Sequence, residues 1–244
     1  MIYSIGLPNK RIKHTDGPAR KSSAGSKEWP RNHNHMRARI TFTKQGALRY
    51  TGHLDLHRLW ERAMRRAELP ITYSQGFHPQ PKISLAAALP LGFSSCGEVL
   101  DVRLNEEIPI EDISKRLKDN LPSGIQIIHI ESVDEGMPAL QTQVVSAEYE
   151  IHLTEPIDGA ELARKVEALM LSESLTRERR GKVYDMRPLV EMLNVVSEAN
   201  GELGLKMTLA AREGATGRPE EVLNALDIAP EYTRVERTRL IFQK

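Results

Sequence analysis

Two histidines at the start of a predicted helix are the first residues whose spacing could support chemistry. His53 and His57, in the pattern HLDLH, lie four residues apart and so share one face of a helix. They could bind zinc or iron if a third ligand joined them, and His78 and Cys96 are the available donors. Because no spacing fixes that third ligand, we expect no metal site. A phosphate contact or proton donor is the role that we expect for His53.

The helix predicted over residues 53–68 combines an apolar stripe with a basic face. The stripe consists of Leu56, Leu59, Trp60, Ala63, Met64 and Ala67. The basic face consists of Arg58, Arg62, Arg65 and Arg66. Asp55, Glu61 and Glu68 are the only carboxylates on this helix, and the i,i+4 spacing pairs at most one or two arginines. Planar guanidinium groups suit phosphates, so this face indicates RNA binding; the alternative is an ordinary solvated helix face.

The loop that follows, SQGFHPQPK over residues 74–82, contains Gly76, Pro79 and Pro81. Such a backbone is irregular but stiff, and it loses little entropy when it binds. An aromatic ring beside hydrogen-bonding and cationic groups is typical of single-stranded nucleic acid binding. The alternative is a packed connection with Phe77 in the core. The nucleic-acid-binding residues predicted from both segments are Arg49, His53, Arg58, Arg62, Arg65, Arg66, Ser74, Gln75, Phe77, His78 and Lys82.

Other candidate sites are weaker. The run over residues 176–189 supplies Arg177, Arg179, Arg180, Lys182 and Arg187. It could form a second phosphate surface, although an exposed hairpin is the favoured interpretation. Cys96 has no assigned histidine base and is expected to be an ordinary thiol. No nucleophile–base–orienter set and no phosphate-binding glycine motif assembles from the sequence, so we predict no catalytic residues.

Composition and charge point to a protein that binds an anion inside the cell. The net charge is only +1, but residues 36–82 carry nine basic against three acidic groups, and residues 83–160 carry four against fourteen. Such polarity can steer an anionic ligand to one face. The single cysteine excludes an internal disulfide, and no apolar run is long enough to span a membrane. We therefore expect a cytoplasmic protein without a cofactor.

The remaining patterns predict an α+β fold of two tandem ferredoxin-like domains, each with the order β-α-β-β-α-β. Residues 1–35 are predicted to be a disordered basic arm. The first domain, residues 36–140, has strands at 36–43, 83–89, 97–104 and 125–133 and helices at 53–68 and 110–120. The second, residues 141–244, has strands or extended segments at 144–153, 182–185, 192–198, 203–211 and 233–242 and helices at 159–171 and 219–227.

Several segments together resemble a radical-SAM-linked bacterial domain family of unknown function. The anchors are RYTGHLDLHR, YSQGFHPQPKIS and LPLG in the first half, and GKVYDMRPLV and RVERTRLIF in the second. The positions that match the family pattern are His53, Leu54, Asp55, Leu56, Ser74, Gln75, Gly76, Phe77, Pro79, Pro81, Leu89, Leu91 and Gly92. His57 is outside that pattern, which weakens the idea of a two-histidine metal site.

The resemblance implies a partner, a radical SAM protein with a cobalamin-binding domain, but no established activity. One cysteine cannot hold the three-thiolate cluster that radical SAM chemistry requires. Our leading hypothesis is an RNA-binding or substrate-presenting accessory of such an enzyme. The alternatives are a stand-alone RNA-modifying or nucleotidyl enzyme using His53, Asp55 and His78, and a protein–protein adaptor that docks its partner through residues 74–82.

Overall fold

The computed structural model describes residues 35–179, 181–197 and 202–243. The predicted basic arm lies outside the described residues except for His35. The helices are α1 (His53–Arg66), α2 (Ile110–Lys118), α3 (Leu140–Gln143), α4 (Gly159–Leu171) and α5 (Pro219–Ala225). The strands are β1 (Met36–Lys44), β2 (Ile83–Leu85), β3 (Ser94–Leu104), β4 (Ile127–Val133), β5 (Val144–Leu153), β6 (Thr176–Arg179), β7 (Lys182–Asp185), β8 (Val190–Ser197), β9 (Leu203–Arg212), β10 (Ala215–Thr216) and β11 (Thr233–Phe242). The α+β class is confirmed.

Each half of the chain builds an antiparallel group of four strands. In the first half the strand order is β4-β1-β3-β2, and in the second half it is β11-β5-β9-β8. β10 adds a short edge to β9, while β6 and β7 form a separate hairpin. The alternation of buried and exposed residues along β1 and β5 follows from the period of two in a strand.

A short parallel contact joins the two groups into one sheet. Ser94 and Ser95 of β3 pair with Glu236 and Arg237 of β11, so nine of the described strands form a single mixed sheet. Beyond this contact, β11 bulges between Arg237 and Arg239. The sequence predicted a sheet in each half but not that one sheet would contain both groups.

The sheet is covered by two hydrophobic clusters, one for each half. In the first half, Trp60 of α1 is fully buried against Phe42 of β1, with ring centroids 4.8 Å apart in an edge-to-face arrangement. In the second half, α4 and α5 bury Leu162 and Leu223 against strands β5 and β9. The predicted apolar stripe of α1 is therefore the surface that packs on the sheet.

Several elements differ from the prediction. α1 ends at Arg66, because Glu68 adopts a left-handed conformation (φ 53°) and the N–H of Leu69 donates back to Met64 O. The strand predicted over residues 83–89 ends at Leu85, after which the chain leaves the sheet. α3 and β10 were not predicted, whereas β6 and β7 form the exposed hairpin that was the favoured interpretation of residues 176–189.

None of the helices in the described part of the chain combines the length and the apolar character that crossing a membrane requires.

Candidate anion-binding cleft

An open cleft of about 1180 Å³ lies between the two halves. The first half contributes His53, at the start of α1, and residues 85–90, the segment that leaves the sheet after β2. The second half contributes the β6–β7 hairpin and the turns on both sides of β10. We call these the apolar wall and the basic wall, respectively.

The apolar wall is held in place by a buried arginine. Arg237 of β11 is almost fully buried, and its guanidinium donates to Ala88 O at 3.0 Å and to Ala87 O at 3.2 Å. The same group makes a bidentate pair with Glu98 of β3, at 2.8 and 2.6 Å. Residues 86–90 therefore follow the side of the cleft instead of continuing β2.

This buried cluster contains two basic side chains, Arg237 and Lys44, and one carboxylate, Glu98. Burial lowers the pKa of Arg237, but the Glu98 carboxylate more than offsets this effect, so the net pKa lies above its ordinary value. Lys44 is also buried, and burial is the main reason why its pKa is lowered, with Glu98 acting in the opposite direction. This cluster contributes structure to the cleft rather than free charge.

The basic wall, in contrast, carries cations with few carboxylates nearby. Its positive side chains are Arg179, Lys182, Arg212 and Arg218, and the one carboxylate that lines the cleft is Glu213. Arg212 has only a loose contact with Glu191, at 3.8 Å. The Nε of Arg218 is buried and has no hydrogen-bond partner among the described residues. Guanidinium groups on a concave surface with one lining carboxylate favour an anionic ligand.

A tyrosine fixes the hairpin to the body of the second half. Tyr184 of β7 is hydrogen-bonded to the carboxylate of Glu221 in α5. Burial and this hydrogen bond raise the pKa of Tyr184 to about 12, while the neighbouring Arg179 and Arg218 lower it. The hairpin is thereby held with its two cations facing the cleft.

Among the nucleic-acid-binding residues predicted from α1 and the 74–82 loop, His53 is the one that lines the cleft. The residue as a whole is solvent-exposed, yet surrounding atoms still remove part of the water from its ring. This burial is the main reason why its pKa is lowered, and the proximity of His57 adds to the effect. A neutral imidazole at pH 7 can donate one hydrogen bond to a phosphate or base without adding charge.

The predicted arginines of α1 lie outside this cleft and are exposed. Arg58 pairs with Asp55 at 3.6 Å, and Arg65 pairs with Glu61 at 2.8 Å and donates to Tyr73 Oη at 3.0 Å. Arg62 and Arg66 instead donate to backbone carbonyls, those of Arg58 and Asn120. Two of the four arginines are therefore partly neutralised.

The predicted loop 74–82 is closed at its base and exposed at its tip. Ser74 N donates to Gln80 O at 2.8 Å, and the Ser74 hydroxyl accepts from Gln80 N at 2.9 Å. Phe77 is 102% exposed, so it points into solvent and not into the core. Gln75, His78 and Lys82 are exposed as well. The contact between Arg65 and Tyr73 places this loop beside α1, and we call the two together the α1 surface.

One of the two histidines of the HLDLH pattern contacts the backbone. His57 Nε2 lies 3.1 Å from Ile83 O, where it acts as a donor to the backbone. Burial raises the pKa of Cys96, which disfavours the thiolate that a metal requires. Among the residues with described positions, no group of three His, Cys, Asp or Glu side chains could hold a metal ion.

The sequence did not single out the residues on either side of β10. Arg179 and Lys182 were considered as part of a second phosphate surface, although an exposed hairpin was the favoured interpretation. Arg212, Arg218 and the apolar segment 86–90 carried no local signal, because they come together only in the tertiary structure.

Comparisons with solved structures show only distant similarity. A chain in the crystal structure of a Cbf5-Nop10-Gar1 complex aligns with a TM-score of 0.46 and 12% identity, over 83% of this chain and 48% of that chain. The present chain thus spans about half the length of that relative. A DypB variant from Rhodococcus jostii RHA1 in complex with heme aligns with a TM-score of 0.21 and 9% identity, over 83% of this chain and 90% of that chain. Such low scores support no functional argument.

No curated protein matches the chain in sequence. A family pattern does match, over residues 37–219, which is three quarters of the chain. The matched span includes α1, the 74–82 loop, both walls of the cleft and the hairpin. The chain therefore belongs to DUF2344, a family of uncharacterized proteins conserved in bacteria.

Proposed function

We propose that this protein is an RNA-binding accessory of a radical SAM enzyme and that it holds RNA across the cleft between its halves. The observation that carries the proposal is the basic wall, where Arg179, Lys182, Arg212 and Arg218 face one lining carboxylate, Glu213. Phosphate contacts of this kind supply most of the affinity of a protein for nucleic acid.

The shape of the cleft supports a polymer more than a small metabolite. Its volume of about 1180 Å³ exceeds the roughly 300–1,000 Å³ of typical small-molecule pockets. One wall is cationic and the other is apolar, which suits a strand with phosphates on one side and sugar or base faces on the other. By holding an RNA segment in the cleft, such a protein would also present a substrate to its enzyme.

We also propose that the two halves, residues 36–140 and 141–244, are tandem ferredoxin-like domains. The order of the four strands, last-first-third-second in each half, supports this. The cleft would then lie between two copies of one fold, as binding sites often do.

RNA binding is tested by measuring the affinity of a fluorescently labelled single-stranded RNA at several salt concentrations. The Arg179→Ala/Lys182→Ala double variant should bind about tenfold more weakly near physiological salt. The slope of log Kd against log salt should fall by about 1.4, because each phosphate contact on a single strand contributes roughly 0.7.

The matched control is Arg62→Ala/Arg66→Ala, which removes two positive charges from the α1 surface. Unchanged binding by this control places the RNA in the cleft. Weakening by the control alone would move the RNA to the α1 surface predicted from sequence and end the cleft proposal. Salt-independent, equal binding by all three proteins would remove RNA binding altogether.

The partner in this proposal rests on the sequence resemblance to radical-SAM-linked proteins. A fully exposed Phe77 on a closed loop offers a contact for it, since solvent-exposed aromatic rings are frequent anchors of protein interfaces. This observation also favours a second candidate function, an adaptor that needs no RNA.

Capture experiments on nuclease-treated bacterial extract test the partner. Tagged protein should retain a radical SAM enzyme identified by mass spectrometry, and Phe77→Ala should reduce its recovery severalfold, as expected for an interface anchor. Leu171→Ala, at a similarly exposed apolar residue, is the control and should not change recovery. Capture by Phe77→Ala at the wild-type level would exclude the loop as the docking site. If the enzyme is still captured after nuclease treatment and the purified protein binds no RNA, the adaptor function is favoured.

The stand-alone enzyme is less well supported. Of the three residues that it requires, only His53 lines the cleft; Asp55 pairs with Arg58, and His78 is exposed in the loop tip region.

A further inference from the structure

Three exposed apolar side chains lie at the edge of the apolar wall. Tyr50, Leu54 and Leu91 are 64%, 71% and 65% exposed, and we call them the rim patch. Single exposed apolar residues are common, but several together usually mark a binding surface. The rim patch is outside the set of residues predicted from sequence.

The backbone brings the rim patch together beside the cleft. Gly92 N donates to Arg49 O at 2.9 Å, which places Leu91 next to the turn that carries Tyr50. Leu54 follows in the first turn of α1. The neighbours His53 and Pro90 both line the cleft, so the patch continues the apolar wall outward.

An arginine prepares the tyrosine ring for stacking. The guanidinium carbon of Arg49 lies 4.8 Å from the centroid of the Tyr50 ring, and one of its nitrogens donates to Tyr50 Oη at 2.8 Å. Because these contacts already restrain the ring, it loses little further entropy when a base binds. Tyrosine rings and arginine planes are the surfaces on which proteins stack unpaired bases.

We propose that the rim patch stacks an unpaired nucleobase of the RNA whose phosphates follow the basic wall. The ligand class is therefore single-stranded RNA, and this inference rests on the proposed function. A base is favoured over a protein side chain because the patch is continuous with a cationic cleft and lies beside Arg49. In a duplex the bases are already stacked and present no free face to Tyr50.

The test compares three ligands of about 12 nucleotides, a length in the range that single-strand-binding folds cover. They are a single-stranded RNA, the same strand with abasic sites, and a blunt duplex. Tyr50→Ala should lower affinity for the single strand about tenfold, the loss of one base stack, and leave affinity for the abasic strand unchanged. Tyr50→Phe retains the ring and should bind the single strand as the wild type does.

Tyr232→Ala is the matched control, because Tyr232 is similarly exposed (50%) and lies outside the cleft. Two results would overturn stacking but leave the RNA proposal standing. One is an equal loss of affinity for the base-bearing and abasic strands on Tyr50→Ala. The other is no loss of affinity on Tyr50→Ala while Arg179→Ala/Lys182→Ala still weakens binding. No binding of any of the three ligands by the wild-type protein would overturn both.

Discussion

Replacing Arg237 by alanine is expected to lower the free energy of unfolding by about 3–5 kcal/mol, the cost of breaking a buried ion pair by removing one partner. The substitution leaves the Glu98 carboxylate buried without its bidentate partner. It also removes the donors to Ala87 O and Ala88 O. Urea denaturation followed by circular dichroism at pH 7 measures the change.

Arg239→Ala provides the matched control on the same strand. Arg239 pairs with Glu148 at 2.7 Å, but its side chain is 67% exposed, so solvent screens the interaction and the substitution should change stability little. Equal effects of the two variants would contradict the structural role that we assign to Arg237. A stable Arg237→Ala protein with altered RNA affinity would instead show that Arg237 acts on the cleft wall alone.

Replacing Gly97 by alanine is expected to destabilise the protein by about 3 kcal/mol, at the upper end of ordinary overpacking. A Cβ at this position would lie 2.4 Å from Thr238 O and 3.1 Å from Arg239 Cα. Both atoms belong to the backbone of β11, at the bulge, and cannot move aside as a flexible side chain would. The parallel pairing that joins β3 and β11 into one sheet would therefore have to open.

Gly52→Ala is the control for this prediction. A Cβ at Gly52 would meet Asp55 Oδ2 at 3.8 Å, an ordinary contact, and the residue has a negative φ of −71°. Thermal unfolding of the two variants distinguishes a general glycine effect from a close approach of strands. Similar melting temperatures for Gly97→Ala and Gly52→Ala would show that the protein tolerates separation of β3 and β11 at Gly97.

Much of the fold follows from local patterns. The stripe from Leu56 to Ala67 predicted the buried face of α1, because a period of 3.6 residues places these side chains on one side of a helix. Alternation in β1 and β5 predicted their strands in the same way. The predicted end of β2, at residue 89, was wrong, since residues 86–89 are apolar enough for a strand. They lie along the cleft because they are hydrogen-bonded to Arg237, about 150 residues away in the chain.

The candidate site was less predictable. The sequence predicted exposed groups on the α1 surface, and Phe77 and the arginines are indeed exposed. It also placed His53 among the binding residues, and His53 lines the cleft. The rim patch was not predicted, and of the basic wall only Arg179 and Lys182 were considered. Each surface combines residues from separate segments, and a single window of sequence cannot show that they are neighbours.

The sequence by itself determined the α+β class, the order of the main helices and strands, and the uneven charge along the chain, because periodicity and composition are local properties. Only the tertiary structure decided that β3 and β11 join the two halves, and that Arg179, Lys182 and Arg218 meet His53 across one cleft. The physical reason is that a buried pair such as Arg237–Glu98, 139 residues apart in the chain, is selected by packing and desolvation in three dimensions.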